Sequence, residues 1–499
     1  MSLITRRQAL GEIVVAAALV AAGCGGSKSS AAAPSGSTLT ATWADPGRTG
    51  NLSPGPGEAL AARTELGARR QPTELLGTLA HVTDAHVLDA SSPARVTFLD
   101  RLGAPFESTF RPQEALTAQV LAGTARAIRL LRPDAVIQGG DLIDNDQSNE
   151  LERAAAILRG GLVRPGSGPR GYFGVQSAAD PDPFYYRPDL DAPRHRGLLS
   201  RAARRFPSLG LGRPWYPVLG DHDILVAGEI VPTDETRALA VGDKALWELP
   251  PGLNLPPGTS LTAGGSPDGP PDPGLVSSFL AQALTGPKVS VPADPSRREL
   301  EAPEVVARLR AMSGIGAGGD RLDYHADIGA RLRLIVLDLA RRGGGSGGLV
   351  VAGQAAWLAS ELEAAGDRWV IIASHQPLVG SEGGEQLLAV LDQHPRVIAA
   401  IAGHTHRNDV QARTTPAGGY WLIGTASLID YPQQSRALRI VSTVGGGAAI
   451  QTWMLDHVFG GDLGTISRQL AYLDAQGGRP RRFAGGRLDR NVTLYRAPP

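Results

Sequence analysis

The sequence predicts an α/β fold, and three observations support this prediction. Short apolar runs that are typical of buried strands alternate with longer helical patterns along much of the chain. Aspartates and histidines follow these runs at the point where each run ends. Long stretches rich in glycine and proline interrupt the alternation, as insertions between the elements of a sheet would.

The elements follow one another in a regular order. Apolar runs predict buried strands over residues 76–83, 134–139, 215–220, 332–339, 369–374 and 397–403. Helical patterns over 112–131 and 353–365 lie between some of these runs. Three later runs come without intervening helices and predict an antiparallel second sheet over 418–427, 437–444 and 448–455.

Composition narrows the possible partners. The chain of 499 residues has 49 Lys and Arg against 49 Asp and Glu, so no net charge attracts a polyanion. We therefore expect no binding to nucleic acid. The 63 glycines and 38 prolines predict a loop-rich protein. The single cysteine, Cys24, excludes an intramolecular disulfide.

The N-terminus has the features of an export signal. Arg6 and Arg7 precede an apolar run, residues 13–22, that is too short to span a bilayer. The paired arginines resemble a twin-arginine signal, and "AAGC" resembles a bacterial lipobox ending at Cys24. We expect an exported protein, lipid-anchored at Cys24 on the outer side of the cytoplasmic membrane, with no other membrane contact. A plain signal peptide or an uncleaved anchor is the alternative.

These features predict the organisation of the chain. Residues 1–23 form the export signal, and 24–70, which begin with a stretch rich in Gly, Ser and Ala, form a flexible tether. One α/β domain follows over 71–456, and a C-terminal extension over 457–499. We expect long insertions in the domain at about 145–214 and 225–325.

Aspartates and histidines cluster where the predicted strands end. Two pairs, Asp84 with His86 and His404 with His406, are spaced i and i+2, which places both side chains on one face of an extended segment. The remaining members follow three other strands: Asp141, Asp144, Asp221, His222 and His375. Because ligands bind beyond the carboxyl ends of strands in open α/β sheets, we expect these side chains to meet at one edge of one sheet.

Such a cluster predicts that metal ions bind there. Crowded carboxylates repel one another, and buried charges are costly unless they are paired or bound to metal. A mixed Asp and His set suits Mn, Fe or Zn, and its size exceeds what one ion needs. Two divalent or mixed-valence ions about 3.5–4 Å apart would use the whole set, an arrangement suited to in-line displacement at phosphorus.

The motifs resemble a known family. "DAH", "GDLID", "GDHD", "SH" and "GHTH", in this order, are similar to the five motifs of the calcineurin-like metallophosphoesterases over roughly residues 75–456. The resemblance implies a four-layer α/β/β/α sandwich. It also implies a metal-dependent phosphoric ester hydrolase that acts on a small-molecule phosphate mono- or diester.

The resemblance also implies roles for individual residues. One metal would be held by Asp84, His86 and His406, the other by Asp221, His375 and His404, and Asp141 would bridge both. A hydroxide between the metals would attack phosphorus while His222 assists the leaving group. Asp144 would hydrogen-bond to His222 and hold its tautomer.

The third motif departs from the family pattern at Asp221, where the family normally has asparagine. An aspartate can ligate a metal there with one more negative charge, which should tighten the metal and lower its electrophilicity. The alternative to an enzyme is therefore a catalytically weakened lipoprotein that binds metal or phosphate. The presence of His222 and Asp144 favours the enzyme.

Overall fold

The computed structural model describes residues 36–102, 109–180, 182–253, 272, 278–279, 281–477 and 482–499. The strands are β1 Ala41–Ala44, β2 Ser53–Pro56, β3 Ala61–Leu66, β4 Pro72–Val82, β5 Ala135–Gln138, β6 Gly161–Val163, β7 Phe206–Ser208, β8 Trp215–Pro217, β9 Lys244–Leu246, β10 Lys288–Ser290, β11 Tyr324–Ile328, β12 Leu332–Leu337, β13 Trp369–Ser374, β14 Val397–Ala402, β15 Asp409–Arg413, β16 Tyr420–Gly424, β17 Gln434–Thr443, β18 Ala448–Asp456 and β19 Val492–Arg496. The helices are α1 Thr117–Leu131, α2 Ser148–Arg159, α3 Leu198–Ala202, α4 Asp234–Val241, α5 Ala302–Ser313, α6 Gln354–Ala365, α7 Gly384–Leu391 and α8 Leu463–Gly477.

Two large sheets form the centre of the fold. One has seven strands in the order β3-β19-β18-β17-β4-β5-β8, and the other has six in the order β11-β12-β13-β14-β16-β15. In the first sheet β4, β5 and β8 run parallel to one another, and in the second β12, β13, β14 and β16 do. The α/β prediction is confirmed.

Alternating side chains of the strands build a layered core. In β13, Ile371 and Ala373 belong to a core cluster shared with the seven-stranded sheet, whereas Val370 and Ile372 pack with α6 and α7. This alternation follows from the two-residue period of a strand and places one face of β13 toward each layer. Since α1 and α2 pack with the seven-stranded sheet, the layers run helix, sheet, sheet, helix, as a four-layer α/β/β/α sandwich requires.

The predicted antiparallel second sheet is right only in part, because β17 and β18 pair antiparallel but β16 belongs to the other sheet. Strand β16 pairs in parallel with β14, while β17 pairs antiparallel with β4 in the other sheet. The connection between β16 and β17 therefore crosses from one sheet to the other. Trp421 of β16 and Ile440 of β17 are both buried in the core that the two sheets share.

The domain boundaries predicted at 71 and 456 are too narrow. Strand β3 pairs in parallel with β19 at the edge of the seven-stranded sheet, so both ends of the described chain belong to the fold. The apolar side chains Val492 and Leu494 of β19 are fully buried. A tether can therefore extend only to residue 35. The predicted export signal, Cys24 and the rest of that tether lie outside the described residues.

The predicted insertions are shorter than expected. Helix α2 packs on α1 and buries Leu151 and Ile157 in the main core, although it lies inside the interval 145–214. Helix α5 buries Val305 and Leu309 in the same core, although it lies inside 225–325. Both helices are amphipathic elements of the body. In the part of the chain that the structure describes, every helix is too short or too polar to cross a membrane.

Candidate metal centre and active site

The clustered aspartates and histidines follow strands of both sheets. Asp84, Asp141 and Asp221 come after β4, β5 and β8 of the seven-stranded sheet, and His375 and His404 come after β13 and β14 of the six-stranded sheet. The expectation that one edge of one sheet carries the site is therefore wrong. The two sheets pack face to face, and their carboxyl-terminal edges meet at the site.

Several of these residues share an unusual backbone conformation. Asp84, His86, Asp141, His404 and His406 all have φ between 42° and 64°, in the left-handed region. Residues other than glycine rarely adopt this region, and such strain collects at functional sites. The left-handed residues turn the chain sharply as each strand ends.

Close packing explains one of the motif glycines. Gly140 has a φ of 94°, and a Cβ built on it would lie 2.3 Å from Nδ1 of His375. The loop after β5 can therefore approach the His375 ring only if residue 140 has no side chain. This close approach brings the loops of the two sheets together.

The first group of possible ligands consists of Asp84, His86, Asp141 and His406, with donor atoms within 4.8 Å of one another. Nε2 of His406 lies 3.3 Å from Oδ1 of Asp84 and 3.3 Å from Nε2 of His86. On the far side of each ring, Nδ1 of His86 lies 3.1 Å from Asp144 Oδ1. Nδ1 of His406 lies 2.5 Å from Oδ2 of Asp430.

These contacts define what the two rings can hold. A carboxylate beside each Nδ1 favours the proton on that nitrogen, which leaves a lone pair on each Nε2. When both rings are neutral, two lone pairs face each other across 3.3 Å, between His86 and His406. A cation between them removes this repulsion, so the arrangement fits a metal ion.

The second group consists of Asp221, His375 and His404, again with donor atoms within 4.8 Å of one another. Oδ1 of Asp221 lies 3.2 Å from Nε2 of His375 and 3.4 Å from Nδ1 of His404. Nδ1 of His375 lies 2.8 Å from the carbonyl oxygen of Gly139, which favours the proton on Nδ1. The other nitrogen of His375 is then free to bind a metal.

His375 provides a direct test of whether a metal fits. Its Nε2 is fully buried and has no hydrogen-bond partner among the residues that the structure describes. The same atom lies 3.2 Å from Asp141 Oδ2, 3.2 Å from Asp221 Oδ1 and 3.9 Å from Asp84 Oδ1. Three carboxylates around one buried nitrogen, without hydrogen-bond geometry, are the surroundings that a shared cation would satisfy.

Asp141 connects the two groups. Its Oδ2 lies 3.6 Å from Nε2 of His86 in the first group and 3.2 Å from Nε2 of His375 in the second. Its Oδ1 accepts a hydrogen bond of 3.0 Å from the backbone N–H of His222. One carboxylate oxygen is thus fixed by the backbone while the other faces both groups, as a bridging ligand requires.

The structure corrects the predicted contact between His222 and Asp144. Nδ1 of His222 donates to the main-chain carbonyl of Asp144 at 2.7 Å, whereas the carboxylate Oδ1 is 4.0 Å away. The carboxylate instead contacts His86 and forms an ion pair with Arg95. The Asp144 side chain therefore orients a ligand of the first group, and its backbone orients His222.

Sequence reasoning missed the residues that support the ligands. Asp430, which accepts from His406, is itself held by Arg111 Nε at 2.6 Å. Arg95 bridges Asp144 and Glu114, with 2.6 Å between its Nη2 and Glu114 Oε2. Asp430 also ends an apolar run, "ASLID", and this signal could have identified it.

Asp221 has a partner of its own. Its Oδ1 accepts a 2.9 Å hydrogen bond from Nε2 of Gln376, the residue directly after His375. The same amide nitrogen donates to the carbonyl oxygen of Ser346 at 2.9 Å. The carboxylate that replaces the family's asparagine is therefore fixed by a donor as well as by two histidines.

The electrostatics of the site reflect this crowding. Burial acts to raise the pKa of Asp84, but His406 and His375 hold it below its usual range. Burial likewise acts to raise the pKa of Asp221, but His375 and His404 lower it. Burial acts against the protonated form of His406, yet Asp84 and Asp430 raise its pKa to about 9. The neighbouring imidazoles therefore lower the pKa of both Asp84 and Asp221 despite their burial.

One side of the cluster is open. The His375 and His86 side chains are 0% and 1% exposed, whereas those of His222 and His404 are 17% and 23% exposed. A Cβ on Gly228 would lie 2.5 Å from Nε2 of His222, so this glycine leaves the space beside that nitrogen free. A substrate can reach the cluster from the side of His222 and His404.

Fold and site together define a layered α/β protein with two adjoining Asp/His groups that could each hold a metal ion. This combination agrees with the resemblance to calcineurin-like metallophosphoesterases. No protein-family profile and no curated protein matches the sequence. The resemblance to this family therefore rests on the motifs and on the cluster that they form.

Several solved structures show partial similarity. A dimetal phosphatase from Danio rerio has 14% identity and a TM-score of 0.37, with 77% of this chain and 100% of that chain covered. The sulfate thiohydrolase SoxB from Thermus thermophilus has 12% identity and a TM-score of 0.30, with 82% and 61% covered. A putative 5′-nucleotidase from Staphylococcus aureus has 10% identity and a TM-score of 0.29, with 79% and 57% covered.

Proposed function

We propose that the chain is a two-metal phosphoesterase that hydrolyses a phosphate mono- or diester of a small molecule. The observation that carries this proposal is the position of Asp141, whose Oδ2 faces both groups of possible ligands. A bridging carboxylate between two N/O donor sets is the arrangement that a pair of adjacent cations needs. One metal would be held by Asp84, His86 and His406, and the other by Asp221, His375 and His404.

The donor set favours Mn, Fe or Zn, because these ions bind imidazole and carboxylate together. When bound, such ions would supply Lewis-acid activation of water and neutralise charge on the phosphoryl oxygens. Both groups of ligands are shielded from solvent on the inner side, where His86 and His375 are buried. They leave the side of His222 and His404 open to the ester.

His222 supplies the proton for the leaving oxygen. Burial acts to lower its pKa, but the carboxylates of Asp141, Asp221 and Asp144 raise it above the ordinary value for histidine. The shift favours the protonated ring, which can donate a proton. The hydrogen bond from Nδ1 to the Asp144 carbonyl fixes the ring, so that Nε2 donates the proton in the space that Gly228 leaves free.

The test is turnover of a chromogenic phosphate monoester and of the matching diester, measured side by side on the manganese-loaded protein with and without chelator. Turnover that chelator abolishes and manganese restores supports the proposal, and the preferred ester narrows the substrate class. If two metals are bound per chain and neither ester nor a panel of other phosphate esters is hydrolysed, the chain is not a phosphoesterase.

A metal- or phosphate-binding lipoprotein with weakened catalysis is the second candidate, and Asp221 is the observation that favours it. The extra negative charge at Asp221 lowers the electrophilicity of a metal there, although its hydrogen bond to Gln376 draws part of that charge away. This candidate predicts tight metal binding and product binding without measurable turnover in the same assay.

We further propose that the protein is exported and anchored by a lipid on Cys24. The leader with Arg6, Arg7 and the short apolar run supports this proposal. Replacement of Cys24 by Ser should move the protein from the membrane fraction to the soluble exported fraction. If the Ser variant stays with the membrane, the lipid anchor is wrong.

A further inference from the structure

A second cavity lies outside the metal centre, where the N-terminal hairpin meets α8. Its volume is about 300 Å³, the lower end of the range for small-molecule sites. It is bounded by the first turn of α8, by the chain that follows β18 and by the β1–β2 hairpin. The residues that matter for its chemistry are Trp43, Asp456, His457, Phe459, Thr465 and Arg468.

One end of this cavity carries buried donors. The Arg468 side chain is only 3% exposed, and its Nη2 donates to the carbonyl oxygen of His457 at 3.1 Å. Its Nε is buried and has no hydrogen-bond partner in the described part of the chain. A buried guanidinium is costly unless an anion pairs with it, so Arg468 favours an anion in the cavity.

His457 gives an independent indication. Its side chain is 4% exposed and lines the cavity. Neither ring nitrogen has a hydrogen-bond partner among the residues that the structure describes. Buried polar atoms are almost always satisfied, so an imidazole with two free nitrogens beside a cavity indicates that a ligand completes its hydrogen bonds.

The helix adds a third feature. Gly464 and Thr465 lie in the first turn of the fifteen-residue helix α8 and line the cavity. The N-terminus of a helix presents backbone N–H groups and the positive end of the macrodipole, which favour a negative charge. The helix end, Arg468 and His457 therefore converge on one space.

One carboxylate lines the cavity and opposes an anion there. It belongs to Asp456, and its Oδ1 accepts a 2.9 Å hydrogen bond from Nε2 of Gln434. Burial raises the pKa of Asp456 while Arg468 and Gln434 act to lower it, so Asp456 balances part of the Arg468 charge and leaves the buried Nε of Arg468 and both His457 nitrogens without hydrogen-bond partners among the described residues. The remaining walls include apolar surface from Trp43 and Phe459, and the Arg468 guanidinium lies 4.9 Å from the Trp43 ring centroid.

We propose that this cavity binds a small organic anion. Its phosphate-like or carboxylate group would contact Arg468, His457 and the N-terminus of α8, and its apolar part would lie against Trp43 and Phe459. The site is separate from the metal centre, and the proposal does not depend on phosphoesterase activity. The contact of 3.1 Å between Gln433 Nε2 and Ser467 Oγ joins α8 to the loop that carries Asp430.

The test uses the full-length, manganese-loaded chain and phenylphosphonate, which has no ester bond to hydrolyse. Calorimetry should show a binding event at the cavity in addition to any event at the metal centre, and tryptophan fluorescence should change through Trp43. Phenylphosphonate should bind the cavity more tightly than inorganic phosphate, because only the former has an apolar part for Trp43 and Phe459.

Two variants test whether this binding event takes place in the cavity. Arg468→Gln removes the charge, and Thr465→Glu places a carboxylate at the helix N-terminus, where it favours folding but repels an anion. Each should weaken the cavity event at least tenfold, while Thr465→Gln, the matched neutral control, should leave it unchanged. Hydrolysis at the metal centre should be the same in both Thr465 variants.

Either of two results would contradict the proposed anion site. One is a calorimetric profile that is identical in wild type, Arg468→Gln and Thr465→Glu. The other is a fluorescence change that persists in full when Trp43 is replaced by Phe. A variant of the metal centre could lose the binding event at the metal centre and keep the event at the cavity. That result would bear on the proposed function and not on the cavity.

Discussion

The His222 ring is held by the backbone of Asp144 and not by its carboxylate. Nδ1 lies 2.7 Å from the carbonyl oxygen and 4.0 Å from the nearer carboxylate oxygen. The two functions that could be assigned to Asp144 are therefore separable. A change in the Asp144 side chain therefore affects His86 and the first metal group. His222 keeps its hydrogen bond to the Asp144 carbonyl oxygen.

Replacement of His222 by Ala should leave two metals bound and lower kcat by about 10²–10⁴-fold, because general acid catalysis is lost. The loss should be larger for an alkyl phosphate than for a nitrophenyl phosphate, whose leaving group needs no proton. Steady-state kinetics on both substrates measures this. His325→Ala, on an exposed ring that pairs with Glu361, is the control and should behave as wild type. An equal loss on both substrates would contradict the role of His222 as the acid.

Replacement of Asp144 by Asn should weaken metal binding about 10–100-fold, since the carboxylate that orients His86 is lost. Turnover should recover when manganese is added in excess, because the carbonyl oxygen that holds His222 remains. Activity as a function of metal concentration measures both effects. Activity that stays low at saturating metal would show that the carboxylate supports His222 after all.

Replacement of Asp221 by Asn tests the departure from the family motif. The amide keeps an oxygen for the hydrogen bond from Gln376 but removes one negative charge. We expect weaker binding of one metal and an equal or higher kcat at saturating metal, because the ion bound at residue 221 is then more electrophilic. Metal titration followed by kinetics measures both. A lower kcat at full metal occupancy would show that the charge of Asp221 is needed for catalysis.

His81 should make the fold less stable in acid. Burial lowers its pKa to about 3, and Nδ1 bonds to Thr425 Oγ1 at 2.9 Å. The unfolded chain takes up a proton near pH 6.5 and the folded chain does not, so stability is full above pH 6.5 and falls toward pH 3. The slope from this group is about 1.4 kcal/mol per pH unit.

Urea unfolding at pH 7 and pH 5 measures this effect. His81→Asn should reduce the difference between the two pH values by about 2 kcal/mol. His325→Asn, at an exposed position, should not change it. A pH dependence that is the same in wild type and His81→Asn would show that His81 is protonated within the folded protein.

The sequence predicted the ligand-bearing loops because each follows an apolar strand, a local signal. It could not predict that Arg111 holds Asp430, since 319 positions separate them and no local pattern joins them. It could not show which oxygen of Asp144 contacts His222 either. The carbonyl and carboxylate oxygens belong to the same residue, so only the local geometry decides between them. The pairing of β16 with β14 also escaped prediction, because β15 lies between these two strands along the chain.

The measurement that tests the central claim most directly is the number of metal ions per chain in manganese-loaded protein, after gel filtration, for wild type and Asp141→Asn. The account predicts two ions in wild type and concerted loss of both in the variant, because Oδ2 of Asp141 faces both groups. Asp409→Asn, an aspartate on the edge strand β15, should retain two. One ion in wild type, or two in Asp141→Asn, would contradict the shared centre.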